Sequence, residues 1–184
     1  MVLFDKTKSG PRWAWALPIA MAGIIAMNFL AATSKQPRFE LLSWSMLGAV
    51  GVGFGEEMIT RGSMIVGLRS RFSEGKVWLI STLLFSALHI PSVLFGFPLW
   101  AMPVQVLLTF IMGSGFYAIR RVSGTLIVSM VLHGLWDSAL FLNDAVGGES
   151  SSIQYAVYPI AIICVVAVLL WGRNAQAQHG CLRA

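Results

Sequence analysis

Six apolar segments, at residues 13–32, 41–60, 77–95, 98–119, 122–143 and 153–171, follow one another along the chain with short polar breaks between them. Most approach the ~20 residues that a helix needs to cross the hydrocarbon of a bilayer. In lipid every backbone polar group must find its partner within the chain, so runs of this length point to helices rather than open sheets. Composition agrees: 57% of the 184 residues are hydrophobic and 11% are charged, against about a quarter charged in a soluble domain. One soluble core could not hide that much apolar surface. The expected fold is all-α, a polytopic membrane helix bundle of about six transmembrane helices, forming a single domain over residues 1–184. The weakest segment is 77–95, because Pro91 and Pro98 bracket "PSVLFGFP", which reads as a helix end, a tight turn or a re-entrant piece.

Loop charges support the even count. Lys6, Lys8 and Arg12 precede the first segment, and Arg69, Arg71 and Lys76 separate the second from the third. Arg120 and Arg121 follow the fourth, and Arg173 and Arg183 follow the sixth. With six spans all of these fall on one side, while the other holds Lys35 and Arg38 with Glu40, Asp144 and Glu149. The positive-inside rule then places both termini in the cytoplasm, and the chain reads as a multi-pass protein of the cell membrane. The first segment exceeds the ~7–15 residues of a signal-peptide core, so it reads as a retained helix. A net charge of +5 scattered between apolar runs is not a nucleic-acid footprint. Cys164 and Cys181 read as free thiols, and the terminal "CLRA" has an arginine where a prenylation box needs an aliphatic residue.

Against this apolar background stand Glu56, Glu57, Arg61, His89, His133 and Asp137. A charged side chain at the bilayer centre costs about 2.5–3.5 kcal/mol on insertion scales, so this set must face itself or a water-filled cavity. Glu57 and Arg61 are four apart and can pair on one helix face. Glu56 points about 100° away from Glu57 around the helix, which leaves it free for chemistry. Phe85 and His89 share a face in "LLFSALHIP", and His133 and Asp137 share one in "HGLWD". Each cluster alone has a plain structural reading: a solvated helix end, a hydrogen-bonded core histidine, a self-satisfied pair. At 1.5 Å per residue, His89 and His133 lie roughly 17–18 Å in from one surface and Glu56 roughly 22 Å in from the other. At those depths the three can meet.

Three motifs occurring in order, "EEMITR" at 56–61, "FSALH" at 85–89 and "HGLWD" at 133–137, resemble the CPBP intramembrane proteases, which include the CAAX-type prenyl-protein endopeptidases and the Abi proteins. The resemblance covers about residues 48–142. It implies hydrolysis of a peptide bond in a membrane-associated protein or peptide, with Glu56 and His89 activating a water. It also implies that His133 with residue 137 supports the oxyanion, as a preorganised donor would. Many relatives carry asparagine at that position. An ionised Asp137 can only accept hydrogen bonds, so its expected job is to fix the His133 tautomer.

The same residues leave a metal reading open. Glu56, His89, His133 and Asp137 include the two histidines and the carboxylate that a catalytic zinc site needs. No HExxH spacing demands zinc, and the metal-free glutamate/histidine mechanism, with no cofactor, is preferred. Two other classes compete. A carrier or channel would also bury carboxylates and histidines as proton relays, but it commonly shows an internal repeat, and none is visible. A non-catalytic immunity or binding protein could keep the scaffold, though the intact Glu56, His89 and His133 argue against it. The expected partners are a membrane-associated polypeptide substrate and the lipid bilayer.

Overall fold

The computed structural model describes residues 2–5, 10–148 and 152–181. Lys6, Lys8, Glu149 and Arg183, and the side chains of Arg173 and Cys181, lie outside the described residues. The helices are α1 (Ala16–Thr33), α2 (Phe39–Glu57), α3 (Met64–Arg69), α4 (Glu74–Ala87), α5 (Met102–Ser123), α6 (Leu126–Ala145) and α7 (Val157–Cys181). A π-helical stretch, Met58–Ser63, joins α2 to α3 as one rod, so six rods build an all-α bundle. Among the described residues, five stretches are long and apolar enough to cross a membrane: Arg12–Thr33, Glu74–Phe95, Leu99–Ser123, Leu126–Ala145 and Ser152–Gly172. The remaining rod, α2 with α3, carries Glu56, Glu57 and Arg61, and these polar groups dilute its apolar run.

The Pro91 region resolves into a helix end followed by a tight turn. Helix α4 stops at Ala87, a 3-10 turn covers Ile90–Phe95, and Gly96 closes it at φ 96. A left-handed φ suits glycine because it has no Cβ to clash. At the opposite end of the bundle, Gly124 at φ 75 ends α5, and Thr125 caps α6 by accepting from the Ile127 amide at 3.2 Å. Such a glycine stop followed by a threonine cap lets two antiparallel helices follow each other within a few residues. The N-terminal segment docks onto this corner: Leu126 N–H donates to the Leu3 carbonyl and Asp5 N–H to the Gly124 carbonyl, both at 2.8 Å.

Helices α2 and α6 form the closest crossing. A Cβ on Gly134 would stand 2.2 Å from the Ala49 carbonyl oxygen, and one on Gly53 would stand 2.3 Å from the Met130 carbonyl oxygen. With little hydrophobic drive between helices in lipid, small residues that admit close backbone packing hold such a crossing. The Ser45 and Ser138 hydroxyls add a 2.6 Å hydrogen bond across it. Gly134→Ala is expected to lower the melting temperature in detergent, since overpacking costs about 1–3 kcal/mol and here the clash is with backbone. A melt unchanged from wild type would show that the two helices can part freely.

The basic end differs from the loop that its charge pattern suggests. Arg120 and Arg121, expected in a loop, belong to the last turn of α5 and are buried. Asp5 explains how. Its Oδ2 lies 2.9 Å from Arg69 Nη1, 3.6 Å from Arg120 Nε and 4.0 Å from Arg121 Nη1. Glu74 completes the network, 2.6 Å from Arg69 Nη2 and 3.2 Å from Arg121 Nη1, and it accepts a hydrogen bond from the Tyr117 hydroxyl. Buried charges persist when paired in this way. The network ties the chain start, α3, α4 and α5 together at one end.

Candidate active site

The site grows from the π-helical stretch. A π-turn is rare and costs regular hydrogen bonding, and such turns recur where a side chain must be re-aimed. Here the stretch follows Glu57 and contains Arg61. Both side chains are fully buried, with Arg61 Nη1 3.1 Å from Glu57 Oε1. Arg61 also donates to the Thr60 hydroxyl at 2.7 Å, and its guanidinium stacks 3.7 Å from the Phe85 ring centroid. That cation–π contact offsets the guanidinium nitrogens that find no hydrogen bond. Room for the head group comes from α5, where a Cβ on Gly113 would lie 2.5 Å from Arg61 Nη2. Gly113 thus makes space for an arginine, while Gly115 on the same helix admits Ala161 of α7.

His133 stands between two carboxylates. Its Nδ1 lies 3.3 Å from Glu57 Oε1 and its Nε2 lies 3.3 Å from Asp137 Oδ2. The ring is buried and stacks on Phe116 at 4.5 Å between centroids. Phe85 sits edge-on to both histidines, 5.5 Å from His133 and 5.1 Å from His89. His89 Nδ1 lies 3.1 Å from the Phe85 carbonyl oxygen. A ring that donates from Nδ1 to a carbonyl keeps its Nε2 lone pair available.

Glu56 behaves differently from its neighbour. It is half-buried, and its Oε2, like both Glu57 oxygens, is buried without a hydrogen-bond partner. The structure therefore joins Glu57, Arg61, His133 and Asp137 into one chain of polar contacts, with Phe85 bridging to His89. Glu56 stands beside that chain with no ion pair among the described residues. The side-chain pairings of Glu57 with Arg61 and His133 with Asp137 follow helical spacing. The contact between Glu57 and His133, the Phe116 stack and the π-turn had no counterpart in the sequence reading, because they depend on how α2, α5 and α6 meet.

A cleft of about 470 Å³ opens beside these groups. His89, His133 and Asp137 line it, and Glu56 does not. Its floor is the buried set Phe85, Met112, Phe116 and His133, while Trp100 at its rim is 84% exposed. The Asp137 side chain is 43% exposed and faces this space. The zinc alternative fits this arrangement poorly. Both His133 nitrogens face carboxylates, which leaves no lone pair turned toward a metal, and zinc needs a neutral ring with a free nitrogen. Among the described residues no three His, Cys, Asp or Glu side chains are grouped to hold a metal ion.

Comparison with known proteins gives one positive finding. Neither the curated proteins nor the solved structures provide a match. The model of the family described as type II CAAX prenyl endopeptidase Rce1-like matches residues 38–139, a stretch that contains Glu56, Glu57, Arg61, His89, His133 and Asp137. That match spans more than half of the 184 residues, and with the membrane helices and the motif order it shows that the chain belongs to this family of CAAX-type endopeptidases.

Proposed function

We propose that the chain is an intramembrane endopeptidase that hydrolyses a peptide bond in a membrane-associated protein or peptide without a metal ion. The observation that carries the reading is the contrast between adjacent glutamates. Glu57 is fully buried and ion-paired to Arg61 beside His133, whereas Glu56 is half-buried, makes no ion pair among the described residues and has a buried Oε2 that finds no hydrogen bond. Native proteins rarely leave such an atom idle. Glu56 takes a proton from water as the water oxygen attacks the scissile carbonyl carbon. Catalytic hydrogen bonds commonly tighten only in the Michaelis complex, and Glu56 reaches the water there.

His89 shares that proton through Nε2, its Nδ1 being directed at the Phe85 carbonyl. As the carbonyl oxygen gains charge, His133 turns its Nε2–H from the half-exposed Asp137 to that oxygen, while Glu57 stays beside Nδ1. Donors fixed in advance in a water-poor site are worth far more than in bulk water. Collapse of the tetrahedral intermediate breaks the C–N bond, and the proton held by Glu56 and His89 passes to the leaving amine. Glu57 and Arg61 act through His133 and are positioning residues.

The purified protein in detergent is expected to cleave members of a panel of fluorogenic membrane peptides, and cleavage should persist in a zinc chelator. Activity abolished by the chelator and restored by zinc would replace this mechanism with a metal-dependent one.

A further inference from the structure

Three elements supply the buried groups around His133, and residues 2–5 touch all three. Helix α6 carries His133 itself, about two turns beyond Leu126, and α5 carries Phe116 about one turn before Arg120. The π-helical stretch carries Arg61 next to Gly62. At the start of α6, the Leu126 N–H donates to the Leu3 carbonyl at 2.8 Å, and the Thr125 hydroxyl donates to the same oxygen at 3.2 Å. At the π-helical stretch, a Cβ on Gly62 would stand 2.8 Å from Val2 Cγ1 and 3.2 Å from both Leu126 Cδ2 and Met58 Sδ. The bare backbone of Gly62 lets Val2 sit against the turn beside Arg61. At the end of α5, the Asp5 N–H donates to the Gly124 carbonyl, and Asp5 Oδ2 lies 3.6 Å from Arg120 Nε.

Arg120 makes the Asp5 contact more than a tie for the chain start. Its side chain is 1% exposed, and its three guanidinium nitrogens find no hydrogen bond. Asp5 is its ion-pair partner among the described residues. A buried guanidinium follows the charge that compensates it, because an uncompensated one is strongly unfavourable. Arg120 also lies within electrostatic reach of Glu57, the carboxylate that contacts both Arg61 and His133. Asp5 and Glu57 therefore act on one buried cation. The turn of α5 that bears this cation also bears Phe116, whose ring stacks on His133 at 4.5 Å between centroids. Close-packed interiors transmit displacements of this kind instead of absorbing them.

We propose that Asp5 is a positioning residue of the candidate active site: with Val2 seated on Gly62, its carboxylate fixes through Arg120 the turn of α5 that bears Phe116, and so sets the lie of the His133 ring. The consequence for turnover rests on the hydrolase reading, whereas the placement of the ring does not. Asp5 lies outside residues 38–139, the stretch matched by the family model. A residue beyond that stretch then tunes a group within it. An anchor for the chain start alone would affect stability and leave the ring where it is.

The test reads that ring directly by NMR of the full chain in detergent, grown with isotopically labelled histidine. The His133 Cε1–H signal is assigned by its loss in His133→Gln, and the ring current of Phe116 makes it sensitive to the stack. Asp5→Asn should move this signal by more than its line width, and Asp5→Glu, which keeps the charge, should return it toward the wild-type position. Glu40→Gln, which removes an exposed carboxylate from the first turn of α2, should leave it in place. On a cleaved fluorogenic peptide, Asp5→Asn should lower kcat by about 10- to 100-fold with KM near wild type, since small misplacements far from the chemistry have effects of that order. Asp5→Asn also strands Arg120, so Arg120→Gln and the double variant Arg120→Gln/Asp5→Asn, which leave that cation out, are measured beside it. Both should move the His133 signal, and by the same amount, because Asp5 has then lost its route to the ring. A signal unmoved in folded Asp5→Asn, or in the double variant where the single one does not fold, would overturn the proposal. So would an equal movement in Glu40→Gln, or a lowered melting temperature with kcat unchanged. A wild type that cleaves no peptide would remove the hydrolase reading and leave the histidine spectrum to decide the placement by itself.

Discussion

Glu56→Gln is expected to cut kcat for peptide cleavage by about 10²–10⁴-fold, the contribution typical of a positioned acid–base group. The amide keeps the size of the carboxylate and removes its capacity to take a proton. Because Glu56 is half-buried and makes no ion pair among the described residues, its melting temperature and KM should stay near those of wild type. Steady-state kinetics on a cleaved fluorogenic peptide, paired with a thermal melt, separate these effects. Turnover within a few-fold of wild type would remove Glu56 from the mechanism, whatever the state of its neighbours.

Arg61→Ala should show the reverse pattern, with loss of the folded protein as the primary effect. The side chains of Arg61 and Glu57 are both 0% exposed, and the pair also contacts Phe85, Thr60 and His133. Removing one member of a buried ion pair strands the other and typically costs about 3–5 kcal/mol. Here it also empties the space that Gly113 provides on α5. A large fall in melting temperature and in yield of monodisperse protein is expected, with activity lost as a consequence. Arg61→Lys should recover only part of the stability, because an ammonium cannot both pair with Glu57 and stack as a planar group on Phe85. If Arg61→Ala melted like wild type yet failed to cleave, Arg61 would have to act in the chemistry directly. The two neighbouring motif positions thus separate a kinetic phenotype from a folding one.

What was legible in the sequence was whatever depends on local period. The six-rod architecture follows from the length and spacing of apolar runs, and the Glu57–Arg61 and His133–Asp137 proximities follow from four-residue helical spacing. Phe85 and His89 meet for the same reason. The rest depends on which helix lies beside which. Nothing in "EEMITR" announces that Glu57 reaches His133 on α6, or that the helix widens into a π-turn just after it. Arg120 and Arg121 misled because a basic pair after an apolar run is ordinarily a loop signal. The carboxylate of Asp5, delivered by a backbone bridge between Phe4 and Thr125, together with Glu74 beside Arg121, makes their burial tolerable.

That bridge separates two meanings of a domain. The stretch by which the chain is recognised runs over residues 38–139, yet part of the counter-charge for its buried arginines comes from position 5. Helices α1 and α7, outside that stretch, also wall in α5 and α6, through Leu17 and Ala161 against Gly115 and through Asn28 against Asn143. The family-matched stretch thus carries all the candidate site residues, while part of the packing around them is supplied by the flanking chain. A substitution in those flanks would therefore change the surroundings of the candidate site without altering a single motif residue.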